Sequence, residues 1–140
     1  LKQFCLKFQF AFSSSILGHP RHWYNAMVIA EPTVTVPAGD LKKGAKLYKA
    51  KCFQCHAIEK DGLVKQGPPL FAIFGRTAGT NPGFNYSEAN KNSGIIWSEK
   101  HMFEYLKNPK KYLPGTKMVF AGLKKDAERS DLITYMQHMS

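Results

Sequence analysis

The 140-residue sequence has only three cysteines, and Cys5 stands 47 positions before Cys52, so a disulfide-stapled scaffold is excluded. It has no run of about 18 apolar residues, the length a bilayer-crossing helix needs. Acids are scarce, 10 Asp and Glu against 20 Lys and Arg, which leaves a net charge of +10. That balance does not choose a fold, but it favours an acidic protein, an anionic lipid surface or nucleic acid as partner. At this length the chain has room for one ordinary domain that buries roughly two-thirds of its unfolded surface.

Two regions differ in texture. Residues 1–38 carry four phenylalanines within "FCLKFQFAF", a "SSS" run, Pro20, Pro32 and Pro37, and a single acid, Glu31. Apolar residues at 4, 6, 8, 10 and 12 fit a strand and those at 1, 5, 8 and 12 fit a helix, so periodicity decides nothing there. The segment is expected to be an N-terminal extension, disordered or absent from the mature protein, with Met27 as the true start. The competing reading is a mitochondrial targeting leader, against which Arg21 is its only arginine. From Gly39 onward the pattern is helical. "GDLKKGAKLYKAKC" puts Leu41, Ala45 and Tyr48 on one face behind Asp40 as N-cap. Gly44 in its middle costs about 1 kcal/mol relative to Ala, which points to close approach by another element. "KKDAERSDLITYMQHMS" supplies that element, with Leu132, Tyr135, Met136 and Met139 at three- and four-residue steps. Between the two, "GPPLFAIFGRTAGTNPGFNYS" reads as loop, and a loop of about 20 residues inside a compact domain calls for a large buried ligand to hold it.

The chemistry is concentrated in "KCFQCH", Lys51 to His56. Cys52 and Cys55 lie on one side of a helical turn, with His56 one turn on from Cys52. Zinc would want about four ligands, and no second CxxC or HxxxH pair follows. A thioredoxin-like dithiol would follow a strand, and neither flank reads as one. Thioether bonds from both thiols to a haem, with a His56 nitrogen on the iron, need no further cysteine. If haem is held, its sixth iron position decides between carrier and oxidant. Met136 and Met139 belong to the last helix's apolar stripe and Met102 to "EKHMFEYL", where core packing is the better reading. His101 and His138 are expected to face solvent. Met118, in the aperiodic "YLPGTKMVFAG", sits where a loop can aim a thioether inward, which would raise the potential and occupy the place of a small ligand.

The ordered motifs "GDLKKGAKLYKAKCFQCH", "GPPL", "FGRTAG", "PGFNYSEANKNSGIIW", "YLKNPKKYLPGTKMVFAGLKK" and "ERSDLITYM" resemble the mitochondrial cytochrome c family over residues 39–140. The resemblance implies an all-α class I cytochrome c fold, with short helices and long loops around one covalent haem c and the first and last helices packed together. It implies His56 and Met118 as axial ligands, Cys52 and Cys55 as thioether anchors, and the Pro68 carbonyl as hydrogen-bond acceptor for His56. Tyr105 and Thr116 would support the methionine, Asn90 would sit in a buried water network, and Tyr86 and Trp97 would bond a haem propionate offset by Arg76. The function implied is a non-enzymatic, monomeric electron carrier of the intermembrane space, between the cytochrome bc complex and cytochrome c oxidase. Docking on cardiolipin, with peroxidase activity there, or on an apoptotic protease-activating factor is the alternative.

Residues 39–140 carry 17 basic and 9 acidic residues, so +8 of the charge belongs to this domain. The resemblance gives Lys46, Lys51, Lys65, Lys110, Lys111, Lys117, Lys124 and Lys125 a place around the haem edge, where they would steer the protein to acidic sites rather than to nucleic acid. Four positions depart from the family: Val64 where histidine is common, Pro69 where asparagine is, Ala72 for glycine, and Ala78 for a hydroxyl residue. At Ala72 glycine would serve a positive φ or close packing, so a looser loop is expected there.

Overall fold

A computed structural model describes residues 28–140. These form five helices, α1 (Leu41–Lys51), α2 (Glu88–Lys91), α3 (Glu99–Lys107), α4 (Pro109–Tyr112) and α5 (Asp126–His138), with one isolated antiparallel bridge between Thr77 and Ile96. None of them is long and apolar enough to cross a membrane. Cys5 and the phenylalanine cluster lie outside the described residues.

Each helix starts for a local reason. Asp40 caps α1 by accepting from the Lys43 amide at 2.8 Å, and Ser87, Ser98 and Asn108 cap α2, α3 and α4 in the same way. Pro109 opens α4 at the position where its missing N–H costs nothing. Helix α5 has no side-chain cap, but Asp126 and Glu128 in its first turn oppose the positive end of its dipole.

Helices α1 and α5 cross at Gly44. A Cβ there would run into the Asp131 carbonyl, so glycine is required by backbone contact rather than by turn geometry. The Asp131 carboxylate also accepts from the Asp40 amide at 2.6 Å, and the Tyr48 and Tyr135 rings pack with centroids 5.5 Å apart. The buried side of α1 is Gly44, Tyr48 and Cys52; Leu41, expected on that face, is exposed. From α5, Leu132, Ile133 and Met136 are buried, with Tyr135 and Met139 partly so.

Residues 67–87 are turns and loop, as their Gly, Pro and Asn content requires. Their order comes from backbone bonds to the 95–97 segment: Gly75 donates to the Trp97 carbonyl, Trp97 to Arg76, and Ala78 to Ile95, at 2.7 to 3.0 Å. Residues 28–38, expected to belong to a detached extension, lie against the domain. Ile29 donates to the Ser93 carbonyl at 2.9 Å, Val34 and Val36 pack on the core, and Glu31 pairs with Lys100 at 3.7 Å. Pro32, Val34 and Val36 face inward and Thr33 and Thr35 outward, the alternation of an extended chain lying along a surface.

Ala72 has φ +49°, the left-handed region that costs a residue with a Cβ roughly 1–2 kcal/mol. The glycine it replaces would relieve this and lose some of the gain to unfolded-state entropy. Ala72→Gly is therefore expected to stabilise the protein by about 0.5–1 kcal/mol, read as a higher denaturant midpoint at unchanged slope.

Candidate haem site

The chain leaves α1 through a tight turn, in which Cys55 and His56 donate to the Cys52 carbonyl at 3.0 and 2.9 Å. This turn puts both thiols and the imidazole on one wall of a cleft enclosing about 1250 Å³ of space free of protein atoms, part of it open to solvent. The Tyr48 hydroxyl donates to the His56 carbonyl at 2.8 Å and fixes the turn to α1. His56 Nδ1 donates to the Pro68 carbonyl at 2.7 Å, which leaves Nε2 unsubstituted and facing the cleft. A Cβ at Gly67 would strike the imidazole, so glycine there lets the loop close over the ring. Burial, and secondarily the Lys65 charge, holds His56 below the usual imidazole range, against the pull of the Pro68 bond, so the ring is neutral and able to donate a lone pair.

Burial first, and then Cys55, pushes the Cys52 thiol up to about 12. A redox dithiol needs the opposite shift, so the dithiol reading loses its chemistry. Among the described residues no cluster of three metal-ligating side chains occurs, which removes the geometric support for zinc as well.

Met118 lines the same cleft. Its thioether accepts from the Tyr105 hydroxyl at 3.2 Å, Tyr105 also meets Thr116 Oγ1 at 3.2 Å, and the Met118 amide donates to that hydroxyl at 3.3 Å. Tyr86, Asn90 and Trp97 form a third wall with Ser87. Arg76 stands behind it, donating to the Pro69 carbonyl at 2.9 Å, and its charge partly offsets the upward shift that burial gives Tyr86. Asn90 Oδ1 is buried without a partner among the described residues, a group that asks for a water or ligand in the cleft.

The lysines among the described residues are all exposed, but not equally free. Lys65 donates to the Phe53 carbonyl at 2.9 Å and lies 4.0 Å over the Phe53 ring. Lys117 donates to the Asn85 carbonyl at 2.8 Å and Lys124 to the Lys107 carbonyl at 2.9 Å. His138 is exposed as expected, whereas His101 is buried and bonded to Tyr112, a correction argued further below.

The family model described as Cytochrome c matches residues 41–140. The chain belongs to the cytochrome c family. Cytochrome c of Theileria annulata is 61% identical over 114 residues, covering 81% of this chain and 98% of that protein. Cytochrome c of Chlamydomonas reinhardtii is 59% identical over 101 residues, 72% of this chain and 90% of that protein, and that of Sesamum indicum 56% over 101 residues, 72% and 91%. The Theileria match covers more residues than lie between Gly39 and Ser140, so it includes part of the segment that packs along the domain. Members of the family are haem-bearing electron-transfer proteins and not enzymes, and they carry haem c covalently.

The cleft fits such a group. It offers two thiols beside an unsubstituted imidazole nitrogen, an orphaned Asn90 oxygen, and apolar walls from Leu70, Ile73, Phe84, Leu106 and Phe120. Met102, Leu132 and Met136, read from sequence as core, are also lining residues, because in this fold the cleft wall is the core. Gln66, which accepts from the Cys55 thiol at 3.1 Å, and Gly67 were not singled out; the only signal was the glycine ahead of Pro68–Pro69. Gly67→Ala is expected to cost about 1–3 kcal/mol by overpacking against His56 and to lower haem content, measured by urea unfolding and a pyridine haemochrome assay.

Proposed function

We propose that this protein carries single electrons in the mitochondrial intermembrane space from the cytochrome bc complex to cytochrome c oxidase, with haem c anchored by Cys52 and Cys55 and ligated by His56 and Met118. The observation that carries this reading is the cleft itself, which brings the CxxCH turn and a thioether 62 residues later to one cavity. Haem bound there supplies a one-electron ferric–ferrous couple. The chain's residues do the rest. His56, kept neutral by burial and oriented by its bond to Pro68, would donate its free nitrogen to the iron, and a soft Met118 sulfur held by Tyr105 would favour the reduced state. With His56 and Met118 both holding the iron, small oxidants would be kept out, which suits a carrier. Tyr86 and Trp97 are proposed to bond a propionate, Arg76 to offset its charge, Asn90 to hold a buried water, and Thr116 to brace the methionine loop. Without such partners a buried carboxylate would cost several kcal/mol.

Lys51 and Lys117 line the cleft, and the excess of 17 basic over 9 acidic residues in 39–140 favours weak, fast encounters with acidic docking sites. A cardiolipin surface or an apoptotic protease-activating factor would use the same lysines; electron transfer is preferred because it alone uses the cleft's two-sided donor set. The ferric protein is expected to show a low-spin spectrum with a sulfur-to-iron band that Met118→Ala abolishes; survival of the band would overturn the assignment. Lys111→Glu is expected to slow reaction with cytochrome c oxidase several-fold at low ionic strength and to flatten its salt dependence, in stopped-flow kinetics.

A further inference from the structure

His101 is the one histidine of the described residues whose role the haem reading does not use and whose side chain is buried, at 4% exposure. Its Nδ1 lies 2.6 Å from the Tyr112 hydroxyl. His101 and Tyr105 are one turn apart on α3, so they share a face. Each reaches across to the segment that runs from α4 to the methionine: His101 to Tyr112, and Tyr105 to Thr116 and Met118. The Tyr105 and Tyr112 rings meet edge-on with centroids 6.2 Å apart, which closes the two contacts into one unit. Thr116 donates back to the Leu113 carbonyl, so only a tight turn separates Tyr112 from the thioether.

On its outer side His101 faces a recess walled by the packed segment 28–31, Ser98 and Gln137. The charged groups bearing on this pair are Glu31 from that segment, whose charge acts on both His101 and Tyr112, Lys100 paired with Glu31, Glu104 acting on Tyr112, and Glu99, which lines the same recess and accepts from Gln137. Helix α5 contributes Gln137, which does not titrate.

We infer that His101 is a positioning residue for Met118: through Tyr112 it holds the segment that presents the thioether, and Glu31 on the N-terminal strap tunes that hold. The inference rests on Met118 being the distal ligand. Burial lowers the proton affinity of His101 and Glu31 draws it partway back. The folded protein therefore takes up this proton less readily than the unfolded chain, and the clamp is present above the ordinary imidazole value of about 6.5 and weakens as pH falls below it. In the tautomer that carries its proton on Nε2, Nδ1 accepts from Tyr112, and protonation turns it into a donor and reverses that bond.

The test uses ferric holoprotein, with exogenous imidazole as a competitor for the Met118 position at fixed neutral pH and the sulfur-to-iron band followed against pH. Tyr112→Phe and His101→Leu are each expected to raise imidazole affinity about fivefold, the worth of one net hydrogen bond, and the double variant to raise it no further. Ile133→Val, a destabilising change in the α1–α5 core away from the cleft, is expected to stay within twofold of the parent. Glu31→Gln should move the acid loss of the band to lower pH, because the carboxylate that favours the charged imidazole is gone. Parent-like affinity in both single variants, an equal increase in Ile133→Val, or an unmoved acid profile in Glu31→Gln would overturn the inference while leaving the ligand assignment intact. A parent protein with no sulfur-to-iron band would instead overturn the ligand assignment. Should His101→Leu not fold, Tyr112→Phe and Glu31→Gln decide the matter alone.

Discussion

The contact between α1 and α5 at Gly44 is what the remaining geometry hangs on. Without a side chain at that point the two backbones meet, and the crossing places Tyr48, Leu132 and Met136 on the same side of the molecule. Cys52 lies eight residues beyond Gly44, on the same face, so the angle of the crossing also sets where the thiols point. Burying the Leu, Ile and Met side chains of α5 is worth roughly 1.5–3 kcal/mol each, more than a typical neutral hydrogen bond. The helices are too short to be stable alone, and tertiary packing is what keeps them helical.

The cleft is then assembled from two unlike walls. The CxxCH wall is stiff: five backbone bonds, the Tyr48 hydroxyl and the Pro68 carbonyl hold a run of five residues. The methionine wall is a loop whose aim depends on side chains of α3, chiefly Tyr105. A hydrogen bond of this kind contributes about 1 kcal/mol net, so the methionine side is the softer half of the site. That asymmetry explains why contacts behind it, such as His101 with Tyr112, have leverage on the thioether, whereas the thiol side is locked by chain connectivity.

Charge is distributed with the same division of labour. Lys65, Lys117 and Lys124 place their ammonium groups on backbone carbonyls at helix ends and loop crossings, so part of their positive charge is used internally. Lys46, Lys51, Lys110 and Lys111 remain as exposed charges, whereas Lys125 pairs with Glu128 at 3.5 Å. Arg129 is the extreme case: 1% exposed, it bonds the Leu123 and Lys124 carbonyls and Asp126 and stacks at 4.2 Å on Phe103, anchoring the start of α5. Counting lysines in the sequence gives the sign of the surface but not which of them are free to meet a partner.

Local rules made much of this legible. The CxxCH spacing, the Asp40 cap, the glycine at the helix crossing and the 67–87 loop were all signalled by residues close in the chain, whereas Ala72 drew notice only because the resembled family has glycine there. Four things required the fold. Leu41 fits the helical stripe, yet it sits at the first turn where α5 does not cover it. His101 reads as a polar residue at a helix start, and only the approach of Tyr112 and the 28–31 segment buries it. Residues 28–38 lack any helical signal, and their extended path becomes meaningful only against the surface they lie along. Gly67 matters because of a ring eleven residues earlier. Sequence by itself put Cys52, Cys55 and His56 side by side, because they are neighbours in the chain, and singled out Met118; only the tertiary structure brings Met118, with Tyr105 and Thr116 beside it, to the cleft those residues line, because residues so far apart in the chain meet only once it has folded.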